Sequence, residues 1–470
     1  MVKGAWPVAA VRAAEAPLLA SLPEGALMRR AAYGLAGQCA GLLGRVYGAR
    51  VGLLAGSGDN GGDALHAGAY LARRGAAVSA LLLAPDRAHP GGLAALLAAG
   101  GRVVDTLPPA ALVLDGIVGI GGSGGLRPEA AEVVASVSAP IVAVDLPSGV
   151  DADTGAVRGA AVRADVTVTF GGLKPGLLVG AGREHAGDVR VVDIGLSLPP
   201  PPVLVLEAAD VAALVPVPGA RSDKYTRGVV GVAAGSAEYA GAGVLCTGSA
   251  IRSGAGMVRY AGTAAEHVRS RWPEAIVTDG GPSSAGRVQS WVVGPGIGTD
   301  ADAAALLCEV LATDVPDLVD ADGLTLVAKD PALVRDREAP TVLTPHDREF
   351  ERIFGAIGDD RIGATRRAAA ELGATVLLKG NATVVSSPSG AVHVNPTGTS
   401  WLATAGSGDV LSGLGGTLLA GGLDATLAAA AAAYLHGLAG RIASAGAPTT
   451  AVDVLDALPA AFRRVLSTLD

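Results

Sequence analysis

Residues 51–63 read VGLLAGSGDNGGD, an apolar run that leads into a cluster of glycines. The run predicts a short buried strand, the glycines predict a loop, and a helix is predicted over residues 63–74. Residues 56–61 match the G-x-G-x-x-G pattern, which after a strand and before a helix is typical of dinucleotide-binding folds. Asp63 would compete with a phosphate at the helix N-terminus, or it could simply cap the helix. This segment therefore indicates an α/β nucleotide-binding fold without identifying the ligand.

Alternating strand and helix patterns extend along the whole chain. Strand-like runs in the first half lie at residues 77–83, 112–114, 141–144, 166–170 and 189–192. Those of the second half lie at residues 229–234, 291–293, 317–319, 342–343 and 376–378, with a hairpin around residues 387–390. Alternation of this kind predicts parallel α/β sheets. Four consecutive prolines at residues 199–202 favour an extended spacer, so we expect two tandem domains, at residues 1–215 and 220–470.

Charge and hydropathy exclude several classes of protein. The 36 Lys and Arg residues against 44 Asp and Glu give a net charge of −8, which disfavours a nucleic-acid partner. Apolar runs such as residues 427–435 are far shorter than the ~20 residues of a membrane span, and no secretory signal is predicted. Three widely spaced cysteines support neither a disulfide framework nor a zinc site. We expect a cytoplasmic homo-oligomer that binds small molecules rather than nucleic acid or membrane.

Acidic and hydroxyl side chains follow predicted strands in the first half. Asp115 ends one strand, and Asp145 and Ser148 follow another. Ligands of open α/β sheets bind at the carboxyl ends of the strands, so these three residues and Asn60 could converge there. Oxygen donors of this kind suit a hard cation rather than zinc, and an acid among them could also move a proton. Lys174, in a Gly-rich turn, could bind a substrate phosphate or simply be solvated.

Two loops of the second half have the composition of phosphate sites. Residues 405–409, Ala-Gly-Ser-Gly-Asp, precede a helix rich in small residues, which predicts free backbone N–H groups for a phosphoryl group. Asp409 could take the proton from an attacking hydroxyl group, or cap the helix. Residues 379–383, Lys-Gly-Asn-Ala-Thr, supply a second such loop, and His346 follows a strand where it could face a ligand. Two such loops in one α/β domain favour a nucleotide site.

Three motifs of the first half together resemble the NAD(P)H-hydrate epimerase domain. They are residues 58–63 (GDNGGD), 145–149 (DLPSG) and 173–176 (LKPG), and the resemblance covers about residues 1–215. It implies a potassium ion bound by Asn60, Asp115 and Ser148, with Asp145 as the acid or base, although Lys174 stays open as the proton carrier. The residues implied to bind the hydrated nucleotide are Asp59, Asn60, Gly61, Gly62, Asp63, Gly119, Ile120, Gly121, Gly122, Ser123, Gly124, Gly125, Asp145 and Lys174.

The second half resembles the ribokinase-like fold, and most closely the ADP-dependent NAD(P)H-hydrate dehydratases. The matching motifs include residues 294–298 (GPGIG), 344–346 (TPH) and 406–409 (GSGD), and the resemblance covers about residues 220–470. It implies ADP as co-substrate with Mg²⁺, and Asp409 as the catalytic base. The implied substrate-binding residues are Ala242, Gly296, His346 and Asp409. The implied ADP-binding residues are Lys379, Gly380, Asn381, Ala382, Thr383 and Gly408.

The two resemblances together imply an enzyme that repairs NADHX and NADPHX, the ring-hydrated forms of NADH and NADPH. The first half would interconvert the R and S epimers, and the second would dehydrate the S epimer with ADP, releasing AMP and phosphate. An alternative is a ribokinase-like kinase of a small vitamin precursor or sugar, fused to a nucleotide-binding domain. Another is a first half that only senses nucleotide. The choice between ADP and ATP, and between NADHX and NADPHX, stays open.

Overall fold

The structure, a computed structural model, describes residues 3–122 and 124–469 and divides the chain into two compact units. One unit is Gly4–Val203, and the other is Leu204–Asp470 together with Met1–Lys3. This division precedes the predicted boundary between residues 215 and 220. Residues 204–214 group with the second unit because Leu204 pairs with a strand of its sheet and Val211 is buried in its core.

The first unit is built on one parallel sheet of seven strands. Its strands are β2 (Arg50–Ala55), β3 (Ala77–Leu82), β4 (Arg102–Val103), β5 (Leu112–Gly116), β6 (Ile141–Val144), β7 (Val166–Phe170) and β8 (Asp188–Val192). Its helices are α1 (Val8–Ser21), α2 (Ala26–Leu43), α3 (Asp59–Arg73), α4 (Pro90–Ala98), α5 (Pro128–Ala135) and α6 (Gly180–Ala186). The strand order is β4-β3-β2-β5-β6-β7-β8. Strands β3 and β4 lie on one side of β2 and strands β5 to β8 on the other, so the strand order reverses between β2 and β5, and a crevice for ligands is expected where these two strands end.

Helix α3 begins four residues earlier than the sequence pattern predicts. It starts at Asp59 rather than at residue 63, and the N–H of Gly62 already donates to the carbonyl of Gly58 at 3.1 Å. A Cβ atom at Gly61 would lie 2.4 Å from the carbonyl oxygen of Gly56. The glycines are therefore helical because this first turn packs directly on the strand end, and tertiary packing overrides their poor helix propensity.

The second unit contains a larger mixed sheet. Its strands are β9 (Val203–Val205), β10 (Val229–Ala233), β11 (Met257–Tyr260), β12 (Ile276–Val277), β13 (Ser290–Val293), β14 (Asp317–Val319), β15 (Thr341–Leu343), β16 (Thr375–Leu378), β17 (Thr383–Ser386) and β18 (Val392–Asn395). The order is β9-β18-β17-β16-β15-β14-β13-β10-β11-β12. Strand β1 is the short segment Lys3–Ala5 near the start of the chain. Strand β17 is antiparallel to β16 and β18, which confirms the predicted hairpin, whereas the pairs formed among β10 to β16 are all parallel.

Helices cover both faces of this sheet. They are α7 (Ala208–Leu214), α8 (Ala240–Arg252), α9 (Ala265–Arg271), α10 (Ala301–Leu311), α11 (Asp322–Val327), α12 (Ala332–Arg335), α13 (Asp347–Phe354), α14 (Arg361–Leu372), α15 (Ser407–Ala420), α16 (Ala425–Ser444) and α17 (Ala451–Leu466). Val230 and Val232 belong to one hydrophobic cluster and Val229 and Ala233 to another, because successive side chains of a strand point to opposite faces. The predicted α/β architecture is confirmed. Over the described ranges, no helix combines the length and hydropathy that a membrane span requires.

Candidate active sites

Asp145 and Lys174 form a buried ion pair at the carboxyl ends of β6 and β7. The Lys174 side chain is 1% exposed, and its Nζ lies 2.7 Å from Oδ1 of Asp145. The same Nζ donates to Oγ1 of Thr169 and to the carbonyl of Phe170, both at 2.9 Å. An ammonium group has three protons, and all three are used here. Lys174 is thereby held as a fixed partner of Asp145, with no donor left for a substrate phosphate.

The carboxylate of Asp145 offers one oxygen to a ligand. Oδ1 accepts hydrogen bonds from Lys174, from Oγ1 of Thr169 at 3.0 Å and from the N–H of Phe170 at 3.3 Å. Among the described residues, none donates to Oδ2. Asp145 also adopts φ = 65°, in the left-handed region that non-glycine residues seldom occupy. Such strain at a strand end is characteristic of residues whose side chain must point in one particular direction.

Three further acids influence this pair. Burial raises the pKa of Asp63 well above its usual value, and the charges of Asp145, Asp59 and Glu15 raise it further. Burial likewise raises the pKa of Glu15, against the opposing charge of Lys174. The predicted residues Asp59, Asp63 and Asp145 are thus electrostatically coupled, and Glu15 joins them although sequence reasoning gave it no role. The raised pKa values of Asp63 and Glu15 favour their neutral, protonated forms, so the charge of Asp145 is balanced mainly by Lys174.

The predicted cation ligands Asp115 and Ser148 are in direct contact. Oγ of Ser148 donates to Oδ1 of Asp115 at 2.7 Å, and the N–H of Ser148 donates to Oδ2 at 2.8 Å. Both side chains are fully buried, and burial raises the pKa of Asp115 to about 6. Asn60 lies in the first turn of α3, where a Cβ at Gly119 would meet its Oδ1 at 2.8 Å. Within the described part of the chain, its buried Nδ2 has no hydrogen-bond partner.

The loop of residues 119–125 borders a cleft of about 630 Å³ at the carboxyl edge of the sheet. Gly119, Gly122, Gly124 and Gly125 line this cleft. Ile120 and Gly121 belong to the same loop, whereas the predicted Ser123 lies outside the described residues. Gly61 and Gly62 are instead buried, Gly62 against His89. The cleft also contains Arg87, Arg127 and Arg158, which no sequence motif identified.

In the second unit, Lys379 is the centre of a network of buried charges. Its Nζ lies 2.6 Å from Oδ1 of Asp320 and 3.8 Å from Oε2 of Glu349. Oδ2 of Asp320 accepts a hydrogen bond of 2.8 Å from Ser412. Burial alone would lower the pKa of Lys379, but Asp320 and Glu349 more than offset it, so the pKa is raised. Lys379 therefore stays charged at the base of the predicted ADP site.

Asp409 lies in the first turn of α15, next to this network. A Cβ at Gly408 would lie 3.6 Å from Nζ of Lys379 and 3.5 Å from Oδ2 of Asp320. Gly406, the residue before the helix, has φ = 85°, which explains the glycine at that turn. Burial raises the pKa of Asp409 to about 7, Asp320 raises it and Lys379 lowers it. A carboxylate with a pKa near neutrality is well matched to general-base catalysis.

The other predicted dehydratase residues are distributed around the same strand ends. Ala242 and Gly296 meet, since a Cβ at Gly296 would lie 2.9 Å from that of Ala242. His346 caps α13 through a 3.3 Å hydrogen bond from the N–H of Glu349, and half of its side chain is exposed. Gly380 and Asn381 connect β16 to β17, where Ala382 and Thr383 are buried. His346 accepts a hydrogen bond from Glu349, and Thr383 donates one to the carbonyl of Gly380. The ligand roles of both residues stay predictions.

Asp320 is the residue of this site to which the sequence analysis gave no role. It follows β14 in the segment 320–323, Asp-Ala-Asp-Gly, and is 1% exposed. The next residue, Ala321, adopts φ = 52° and ψ = −117°. A strained alanine beside a buried aspartate is the signal of function, because such strain persists only where the surroundings impose it. The sequence shows that Asp320 follows a predicted strand, whereas the strain at Ala321 is visible only in the folded chain.

Two family profiles match the chain. Residues 24–176 match the family described as YjeF-related protein N-terminus, and residues 230–460 match the family described as NAD(P)H-hydrate dehydratase. The chain is 58% identical over 453 residues to the bifunctional NAD(P)H-hydrate repair enzyme Nnr of Mycobacterium leprae, covering 94% of each chain. It is 59% identical over 438 residues to the Mycobacterium tuberculosis enzyme of the same name, covering 90% of this chain and 91% of that one.

Solved structures resemble the second half of the chain. An ADP/ATP-dependent NAD(P)H-hydrate dehydratase of Bacillus subtilis, co-crystallised with ATP and Mg²⁺, matches with a TM-score of 0.50 at 28% identity. The match covers 55% of this chain and 97% of that one. A ribokinase-like superfamily protein of Enterococcus faecalis matches with a TM-score of 0.52 at 26% identity, covering 56% and 96%.

Proposed function

The chain belongs to the family of bifunctional NAD(P)H-hydrate repair enzymes, and we propose how each of its two units performs one of the two reactions. It is an epimerase and a nucleotide-dependent dehydratase of hydrated NADH and NADPH. The first unit interconverts the R and S epimers at the Asp145 site. The second unit dehydrates the S epimer at the Asp409 site. The observation that supports this division of work is one carboxylate beside a buried lysine in each unit. Asp145 is held by Lys174 in the first unit, and Asp409 lies near Lys379 in the second.

Epimerisation inverts the ring carbon that bears the added hydroxyl group. A bond at that carbon must open and re-form, and a proton must move on or off the hydroxyl oxygen. Oδ2 of Asp145 is the acceptor left for that proton, because Oδ1 is occupied by Lys174, Thr169 and Phe170. Lys174 acts as a positioning residue. The carboxylate of Asp145 favours positive charge that develops on the ring as the bond opens.

The residues Asn60, Asp115 and Ser148 fit a potassium ion. Each can offer an oxygen atom: the Asp115 carboxylate is buried without a cationic partner in the described chain, and Oδ1 of Asn60 lies beside the loop at Gly119. A bound K⁺ would supply positive charge that holds the residue 59–63 turn and the loop after β5 in place. The chain's own residues carry the proton transfer.

This assignment predicts that K⁺ stabilises the first unit independently of catalysis. Binding to the folded state alone raises the melting temperature, by about 2–4 °C for each kcal/mol in a unit of this size. We expect KCl to raise Tm relative to NaCl at equal ionic strength, measured by calorimetry on the full chain. Ser148→Ala should lose this difference. Ser136→Ala, which removes an exposed hydroxyl group from α5's C-terminal turn, should retain it, and an equal Tm in both salts would contradict the ligand set.

Dehydration begins with transfer of the β-phosphoryl group of ADP to the ring hydroxyl. Asp409 accepts the hydroxyl proton as the oxygen bonds to phosphorus, and AMP departs as the phosphoanhydride bond breaks. The N–H groups at the start of α15 and the charge of Lys379 stabilise the transferring group. Phosphate then leaves with the C–O electrons while the neighbouring ring carbon loses a proton, which restores NAD(P)H. Mg²⁺ bound with the nucleotide would neutralise phosphate charge.

The pKa of Asp409 sets an expected pH dependence. Only the ionised carboxylate accepts a proton, and with a pKa of about 7 its ionised fraction falls by about tenfold per pH unit below neutrality. We expect kcat/KM for dehydration of S-NADHX to rise with pH and to level off above about pH 7. Initial rates of NADH formation across this range measure it. A profile that is flat from mildly acid to mildly alkaline pH would contradict Asp409 as the base.

One experiment tests the whole proposal. The purified chain is incubated with racemic NADHX and Mg²⁺ with ADP, with ATP or without nucleotide, and NADH absorbance is followed. Full recovery with ADP is expected, since both activities are then present. Recovery of only the S fraction would contradict an active epimerase, and a stable phosphoester product would favour the kinase. The homo-oligomeric state, the cytoplasmic location and the preference for ADP over ATP stay predictions.

A further inference from the structure

The cleft of the first unit extends along four adjacent strand ends. It is lined after β3 by Leu83, Ala84 and Arg87, and after β2 by Gly56 and Ser57. After β5 it is lined by residues 117–119, and after β6 by residues 149–151. The order β3, β2, β5, β6 is the order of these strands in the sheet. The cleft is therefore an elongated crevice across the switch point, where dinucleotides bind in folds of this class.

The two ends of this crevice lie beside different side chains. The β6 end shares its loop with Asp145, the proton acceptor proposed for epimerisation. The reacting ring therefore belongs at this end. Arg127, which precedes α5, and Arg158 line the cleft together with residues 124–126. Asp151 and Glu129 also line the cleft, but Oδ1 of Asp151 is occupied by Thr154 and Asp153.

The β3 end is the place for the adenosine half. In dinucleotide-binding α/β folds, an acid that follows the second strand binds the 2′-hydroxyl of NAD, whereas an arginine accommodates the 2′-phosphate of NADP. Among the described residues that line the cleft here, Leu83 and Ala84 are apolar and Arg87 is the one charged side chain. Asp86, the neighbour of Arg87 in the same turn, is exposed and is not among the residues that line the cleft. The guanidinium of Arg87 is suited to bind a phosphate dianion through two hydrogen bonds.

We propose that Arg87 binds the 2′-phosphate of NADPHX and makes the first unit epimerise NADPHX in preference to NADHX. Arg127 and Arg158 then bind the pyrophosphate, which both substrates share. This inference rests on the proposed epimerase function and adds the substrate preference of that site. Arg87 follows β3 and is exposed, so its replacement leaves the core of the unit unchanged.

The test is the epimerisation of R-NADPHX and R-NADHX by the full chain and by Arg87→Gln. Without ADP the second unit consumes neither substrate, so conversion of R to S, separated by chromatography, reports on the first unit alone. Arg87→Gln should lower kcat/KM for NADPHX by about 10- to 100-fold, because a hydrogen-bonded charge pair is lost. This loss should appear as a higher KM for NADPHX rather than as a lower kcat. The NADHX values should stay within about twofold, which also shows that the variant is folded.

Two further variants separate local recognition from general charge. Arg74→Gln removes an exposed arginine at the end of α3 that does not line the cleft, and it should change neither substrate. Arg87→Lys should retain part of the NADPHX preference, since the charge remains but the paired hydrogen bonds do not. High salt should reduce the preference of the unmodified chain.

Each outcome bears on a definite claim. An equal loss for both substrates, or no loss for either, would overturn the role of Arg87 in binding the 2′-phosphate while leaving the epimerase in place. The same holds if the unmodified chain shows no preference for NADPHX. If the unmodified chain epimerises neither substrate in the presence of K⁺, the proposed function fails and this inference fails with it.

Discussion

Asp409→Asn is expected to abolish nucleotide-dependent dehydration of S-NADHX, with kcat reduced by about 10²- to 10⁴-fold, the usual range for a lost general base. Asparagine keeps the size of the side chain but cannot accept the hydroxyl proton. Formation of NADH from purified S-NADHX with ADP and Mg²⁺ measures the loss. The R-to-S conversion by the first unit should be unchanged, which provides an internal control on the same preparation.

The variant should remain folded and should still bind nucleotide. Burial raises the pKa of Asp409, so the ionised carboxylate is a cost to stability at pH values above its unfolded-state pKa, and asparagine removes that cost. We therefore expect Tm at mildly alkaline pH to be equal or higher. Asp302→Asn, in the first turn of α10, is the matched control and should keep full activity. Activity of Asp409→Asn within tenfold of the parent would rule out Asp409 as the base.

Asp145→Asn is expected to eliminate epimerisation and also to destabilise the first unit. The proton acceptor at Oδ2 is lost, which we expect to reduce the rate by about 10²- to 10⁴-fold. The Lys174 ammonium, 1% exposed, loses its counter-charge, and breaking a buried pair in this way costs about 3–5 kcal/mol. Chromatographic separation of the epimers and thermal unfolding measure the two effects.

A double variant separates chemistry from folding at this site. Asp145→Asn combined with Lys174→Met removes both charges, and a neutral pair of similar volume is often as stable as the ion pair. We expect the double variant to recover most of the lost stability but none of the epimerase activity. Recovered activity would contradict the catalytic role of Asp145. Retained nucleotide binding with no epimer exchange would argue against a first unit that only senses nucleotide.

Much of the architecture was predictable because its signals are local. Most of the parallel strands are short runs rich in Val, Leu, Ile and Ala, and most of the functional loops follow such a run within a few residues. Asp115 and Asp145 were identifiable for the same reason, since an acid at a strand's carboxyl end needs only the strand to be recognised. The predicted start of α3 was wrong by four residues, because the packing of Gly61 on Gly56, rather than helix propensity, decides where this helix begins.

The sequence alone was enough for two α/β domains, their Gly-rich loops and the acids beside them, since these depend on residues that are neighbours in the chain. Only the folded chain shows that Lys379 meets Asp320, 59 residues away, and that Ser412 binds the same carboxylate from 92 residues away. It alone brings Arg87 to the cleft of Arg127 and Arg158. A pairwise contact across such a distance leaves no periodic trace in the sequence, because it arises from the order of strands in the sheet and not from local spacing.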